Sequence, residues 1–323
     1  MQLQSKISAG FPGRPDGPTG RVGTVGELHG PAGPRRRLGA ELRRLRVKAD
    51  LTLDEVAVRM TCSTSKISRL ETGKGIPKLP DVNELIRIYG VTAEPEREML
   101  HRLVAEGRSQ GWWESYTDGM SVERFMLDQP NRYPALETDA AAVRAFDYSA
   151  LHGLLQTPDY TRGVMKAFLP RHGDWEIERL VTMRQQRQRA LASGSDPMQL
   201  SVVIDEGVLC RRVGDAATMD AALGHVQKMG HWPNVTIRVL PFERGIHRAH
   251  AGSFVLLDIP VTLGSDVVYI EGHAGDTYLE HRSDVDRYNA VFADVSAVAL
   301  DVAESRSMIE DYRGRYAGGE SIR

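Results

Sequence analysis

The run Thr64-Ser65-Lys66-Ile67-Ser68-Arg69 concentrates short hydroxyls and long cations on a few consecutive residues. If the run is helical, Ile67 and Leu70 turn inward and Thr64, Ser65, Lys66, Ser68 and Arg69 are left outside. Hydroxyls exchange hydrogen bonds with base edges, and guanidinium and ammonium groups meet bases or phosphates, so this face suits a DNA major groove. A merely solvated charged face is the plainer alternative. Other groupings are looser. His247 and His250 in HRAH, with His273, His281, Glu271 and Glu280 further on, lack the compact spacing of a set of three or four metal ligands. Glu206, Arg211 and Glu271 suit either acid–base work or a structural ion network. No HExxH, GxSxG, GxGxxG or phosphate-loop motif occurs. No catalytic residue, metal ligand or cofactor is therefore expected.

The surrounding elements must hold the run outward. Leu38, Leu42 and Leu45 recur at helical spacing, and so do Leu53, Val56, Ala57 and Met60. Thr52, with Glu55 three residues on, forms a capping box at the start of the second helix. Ser63 is the N-cap candidate of the third, which Gly73 and Gly75 end. Val82, Leu85, Ile86 and Tyr89 mark a fourth helix closed by Gly90, and Met99, Leu103 and Val104 a fifth opened by Pro95. This spacing predicts an all-α, five-helix domain over residues 35–106.

Residues 1–34 are rich in Gly and Pro and are expected to form a disordered arm, and a linker is expected at 107–116. Beyond it, QLSVVID, VTIRVLP, SFVLLDI and DVVYIEG read as strands among helical patterns at 158–168, 174–192, 215–230 and 283–303. The expectation for 117–316 is an α+β domain with a largely antiparallel sheet and a closing helix, and for 317–323 a flexible tail. The fold class is thus multidomain, an all-α head followed by an α+β domain.

Charge divides along the same line. The 323-residue chain carries a formal net charge of −2. From Arg35 to Pro80 twelve Lys/Arg face five Asp/Glu, a local +7, whereas from Gly111 onward 22 basic and 30 acidic residues give −8. This asymmetry is the expected footprint when one domain meets phosphates and the other does not. No run of 18 apolar residues and no secretory h-region is present, so a cytoplasmic protein without membrane contact is expected. Cys62 and Cys210, far apart in the chain, read as two reduced thiols rather than an interdomain disulfide.

The segment 51–91, with its capped second helix, SKISRLETGK and the following proline, resembles the lambda-repressor-like, or Xre-type, helix-turn-helix family. The resemblance implies a sequence-specific DNA-binding transcriptional regulator of double-stranded DNA. Position by position, Thr64, Ser65 and Arg69 match base-edge readers, while Thr52, Ser63, Lys66 and Lys74 match phosphate-binding positions. Arg46 and Glu71 match a structural pair joining the first and third helices. Cys62 departs from the small or hydroxyl residues usual in the turn and reads as packing. Arg35, Arg36 and Arg37 could extend phosphate contact or enter a minor groove, although a bare charge run of this kind is more often only a solvated face.

The later segments HGLLQTPDYTRG, MRQQRQRAL, VIDEGVLCRRVG, TIRVLPFERGIHRAHAGSF and VVYIE resemble the C-terminal domain of unknown function in actinobacterial WhiJ-type regulators. That resemblance implies a small protein partner encoded by a neighbouring gene, and no settled ligand. Gln156, Arg187, Glu206, Arg211 and Glu271 are the candidate partner- or ligand-binding residues. His152 stands where the family has proline, which unsettles any pocket at that loop. A lone head gains specificity from two half-sites, so a homodimer is expected. Two other readings stay open: an antitoxin-like interaction protein that sequesters its partner and regulates itself, and a DNA-targeted enzyme.

Overall fold

In the computed structural model, residues 30–119, 132–192, 197–261, 263–273 and 275–318 are described. The head consists of α1 (Ala32–Lys48), α2 (Leu53–Arg59), α3 (Thr64–Glu71), α4 (Leu79–Ile88) and α5 (Glu94–Gly107). Leu38, Leu42 and Leu45 of α1 pack on Val56, Ile67, Leu70, Val82, Leu85 and Leu100 in one core. The apolar spacing read from the sequence is the spacing of that core. Gly39 lets α1 close on the end of α3. A Cβ there would lie 2.6 Å from the backbone oxygens of Leu70 and Glu71.

α1 begins at Ala32, inside the stretch expected to be a disordered arm, while residues 1–29 of that stretch lie outside the described residues. In the tail expected at 317–323, residues 319–323 likewise lie outside them.

The second domain contains α6 (Glu114–Thr117), α7 (Arg132–Asp139), β1 (Ala142–Asp147), α8 (Pro158–Phe168), α9 (Asp174–Arg187), β2 (Gln199–Asp205), α10 (Glu206–Cys210) and α11 (Ala216–Met229). It continues with β3 (Val235–Leu240), β4 (Phe254–Asp258), β5 (Val267–Ile270), β6 (Thr277–Leu279), α12 (Arg282–Val298) and α13 (Val302–Ala317). The six strands form one sheet in the order β3-β2-β1-β4-β5-β6. Alternate strand residues serve opposite faces. Val143, Ala145, Val202 and Ile204 meet α11 and α13, while Phe146, Val203, Leu256 and Val268 meet Val285, Phe292 and Val295 of α12.

The sheet is mixed: β1 pairs with β2 and β2 with β3 in parallel, which the expectation of a largely antiparallel sheet did not foresee, while the β1–β4, β4–β5 and β5–β6 pairs are antiparallel. The crossovers through α8–α9 and α11 bring the chain back to the same end of the sheet, which is what parallel pairing requires. β1 and β6 were absent from the expected strands. The helix expected over 283–303 is two helices. Asp301 and Glu304 form a capping box that starts α13, and Leu300 N–H donates to the Val239 oxygen in the break between the helices. Similarly, regular α-helix in 174–192 stops at Arg187, and one 3₁₀ turn at Gln188–Leu191 follows.

The stretch 107–116 includes Trp113, which is buried against Leu169, Ile177 and Leu180 of the second domain. The domains also touch through polar groups. Arg36 Nη2 donates to the Ser265 oxygen at 3.3 Å and lies 3.9 Å from Glu280 Oε2. Among the described residues, no helix is long and apolar enough to cross a membrane.

Candidate nucleic-acid interface

The interface is built on two capped helices. Thr52 Oγ1 accepts the Glu55 N–H at 3.2 Å and Glu55 Oε2 accepts the Thr52 N–H at 2.8 Å, closing the box that starts α2. Ser63 Oγ accepts the Lys66 N–H at 3.3 Å and starts α3. Between them Thr61 takes a φ of 50°, and Cys62 N–H returns to the Ala57 oxygen, so the turn is tight. Cys62 packs at the edge of the head's core. Both cysteines are free and half-buried.

Ile67 and Leu70 are buried, and Ser65, Lys66 and Arg69 are exposed on the opposite side of α3. Arg46 holds the far end of α3. Its Nε and Nη2 donate to Glu71 Oε1 and Oε2 at 2.7 and 3.0 Å, while Nη1 donates to the Leu51 oxygen. That bidentate fork fixes α3 against α1, as the resemblance implied.

The remaining expected contacts are engaged within the protein. Thr64 Oγ1 donates to Asp54 Oδ1 at 2.7 Å. Lys66 Nζ lies 2.9 Å from Asp81, and Lys74 Nζ 3.7 Å from Glu280. Thr52 and Ser63 are exposed but spend their side-chain acceptors as caps. Arg35 and Arg36 do not extend a DNA-facing surface. Arg35 Nε donates to the Gly107 oxygen, and Arg36 is turned into the domain contact, where burial lowers its pKa. Arg37 alone of the three is exposed.

In the second domain the five candidate residues do not form one constellation. Gln156 is buried. Its Nε2 donates to the Leu151 oxygen, and its Oε1 accepts from Thr161 and from Arg184 Nη1. Arg187 makes a buried bidentate pair with Glu137 at 2.6 and 2.8 Å. Burial alone would raise the Glu137 carboxyl, but the guanidinium outweighs it and holds the pKa below the usual value. Glu206 belongs elsewhere, accepting from the Phe242 N–H and the Tyr312 hydroxyl. Arg211 and Glu271 are exposed. Glu271 acts electrostatically on Arg184 and on Asp147, whose pKa burial raises to about 8.

The cluster around Arg187 also holds His152. Its Nδ1 accepts the Leu154 N–H, and burial pushes its pKa down to about 4. Histidine in place of proline thus caps the 3₁₀ turn Gly153–Leu155. Sequence reasoning missed Glu137, His152 and Arg184 as parts of this cluster, and Asp54 and Glu280 as partners of the expected DNA contacts. None carries a local motif that announces these partners: apart from the His152 cap on the Leu154 N–H, each meets its partner through the tertiary fold. Among the described residues, no group of three or more His, Cys, Asp or Glu is placed to hold a metal ion.

Comparison with protein families matches residues 131–311 to a domain of unknown function, DUF5753. The chain belongs to the DUF5753 family. A helix-turn-helix domain matches residues 37–100, which run from α1 into α5 and include the capped α2–α3 pair. That match supports DNA binding and a regulatory role. The DUF5753 region runs from α7 into α13 and contains the whole six-stranded sheet. No curated protein and no solved structure matches the chain.

Proposed function

We propose that the chain is a sequence-specific transcriptional regulator of the Xre type, reading operator DNA with α3 and answering to a partner through its DUF5753 domain. The observation that carries this reading is the outer face of α3. Ser65, Lys66 and Arg69 stand exposed on a helix locked by the Ser63 cap and the Arg46–Glu71 fork, inside a matched helix-turn-helix region. Ser65 and Arg69, with Thr64, read bases, while Lys66, Lys74, Thr52 and Ser63 meet phosphates. The local charge of +7 draws the head to DNA, and the −8 from Gly111 onward keeps the second domain away from it.

The second domain's role is to pair two heads on two half-sites and to bind a small protein partner of the kind the WhiJ-type resemblance implies. Exposed apolar surface supports that assignment. Ile246 is 86% and Val298 43% exposed, and they line one groove with Arg244, His247, Arg248 and Asp294. Sequencing the genomic DNA that co-purifies with the full-length protein tests the reading. Recovery of a few sites sharing one two-fold-symmetric motif is the expected result. DNA spread evenly over the genome would remove the sequence-specific role.

A further inference from the structure

Asp54 lies in the first turn of α2, and Thr64 is the first residue of α3. The Thr64 hydroxyl and the Asp54 carboxylate are 2.7 Å apart, within the range of a charge-assisted hydroxyl–carboxylate hydrogen bond. A carboxylate has no proton to give, so the single hydroxyl proton of Thr64 is spent on Asp54. What Thr64 then offers outward is lone pairs only. Asp54 itself is exposed beside it and likewise presents only acceptors. A free threonine is ambiguous toward DNA because its hydroxyl rotates to donate or accept. This one is not.

We infer that Asp54 is a specificity-determining residue, setting the Thr64 hydroxyl as an acceptor so that the start of α3 reads an exocyclic amino group in the major groove. The groove displays such donors only as adenine N6 and cytosine N4, while guanine O6 and N7, adenine N7 and thymine O4 are acceptors. An acceptor-only pair favours the amino groups and is repelled by the acceptor edges. The negative charge of Asp54 near the backbone also weakens binding to any sequence, so it trades affinity for selectivity. This inference rests on the reading of α3 as the recognition helix, and it adds which base atoms the first turn of that helix recognises.

The test uses the full-length protein and atom-level changes in DNA. An operator is first selected from randomised duplexes, and Thr64→Val then locates the base pair that this residue contacts. At that pair the amino group is deleted, with purine in place of adenine or 2-pyrimidinone in place of cytosine. In a separate duplex the purine N7 is removed with a 7-deaza base. The wild-type protein should lose roughly five- to tenfold in affinity on amine deletion and nothing on 7-deaza substitution. Thr64→Val should be indifferent to both changes. Asp54→Ala frees the hydroxyl proton and should lose the dependence on the amine, while a double variant should show no further loss of discrimination. Sensitivity of the wild type to the 7-deaza base and not to amine deletion overturns the inference and leaves the regulator reading standing. So does an Asp54→Ala protein that depends on the amine as the wild type does. Failure of the wild type to select any sequence overturns both.

Discussion

Glu280, directly after β6, lies 3.7 Å from the ammonium of Lys74, just past α3. The same carboxylate stands 3.3 Å from Arg132 and 3.9 Å from Arg36, so one acid of the DUF5753 domain gathers cations from both domains. Lys74 is half exposed, so a phosphate can compete for it.

Glu280→Gln should therefore strengthen binding to DNA of any sequence. An exposed pair of this kind contributes about 0.2–1 kcal/mol, which sets a gain of at most about fivefold at low salt. The gain should fade as ionic strength rises and the Debye length shortens. Anisotropy titrations on a random duplex at two salt concentrations measure it. Equal affinities of variant and wild type at low salt would show that Glu280 does not restrain Lys74.

Lys66→Ala and Lys74→Ala should each weaken operator and random DNA alike. Each lost phosphate contact makes the slope of log K against log salt shallower by about one. Lys66 must first leave Asp81, so its contribution to affinity should be the smaller of the two once Glu280 is neutralised. A salt slope that stays put in either variant would take that lysine off the phosphate path.

The Arg46–Glu71 fork is almost buried, with side-chain exposures of 12% and 5%. Removing one partner leaves the other's charge unpaired. Arg46→Ala should cost the head about 3 kcal/mol, whereas Thr52→Ala, which removes a cap, should cost about 1 kcal/mol. Urea unfolding followed at the helical signal distinguishes them. Similar small losses in both variants would mean that the fork does not anchor α3.

The head was legible because its signals are local. Thr52 with Glu55, the Ser63 cap and the apolar spacing of α1 to α5 each act within a few residues, and Arg46–Glu71 came from the resemblance. The DUF5753 domain was less legible. The parallel pairing of β1 with β2 depends on a crossover, and β1 (AVRAFD) lacks a simple apolar alternation because both its faces are covered, with Val143 and Ala145 buried on one side and Phe146 on the other. Gln156, from the loop that the resemblance pointed to, and Arg187, from a basic helix, were singled out as ligand-binding candidates, but the fold supplies their partners internally. Arg35 and Arg36 could have extended the basic surface or been merely solvated, and only the tertiary fold shows where they turn, Arg35 to the Gly107 oxygen and Arg36 into the domain contact.

Asp147 gives the second domain a pH dependence. Its Oδ2 is covered and has no hydrogen-bond partner, and burial, with Glu271 adding to it, raises the pKa to about 8. Unfolded, the group ionises near 3.8. The folded state therefore keeps the extra proton between these values, and this group's stabilisation is lost as pH rises through that window. The loss is at most about 1.4 kcal/mol per pH unit. Asp147→Asn should match the wild type near pH 4 and become progressively more stable than it toward pH 8. A gap between the two melting temperatures that does not change with pH would refute this.

The central claim is that α3 reads sequence through Ser65 and Arg69. The most direct measurement is the ratio of affinities for the selected operator and for random DNA, taken for the full-length wild type, Ser65→Ala and Arg69→Ala. Each substitution should lower operator preference by about 1–3 kcal/mol per lost base contact, with binding to random DNA little changed by Ser65→Ala. Full discrimination retained by both variants would contradict the account, because the bases would then be read by some other face of the protein.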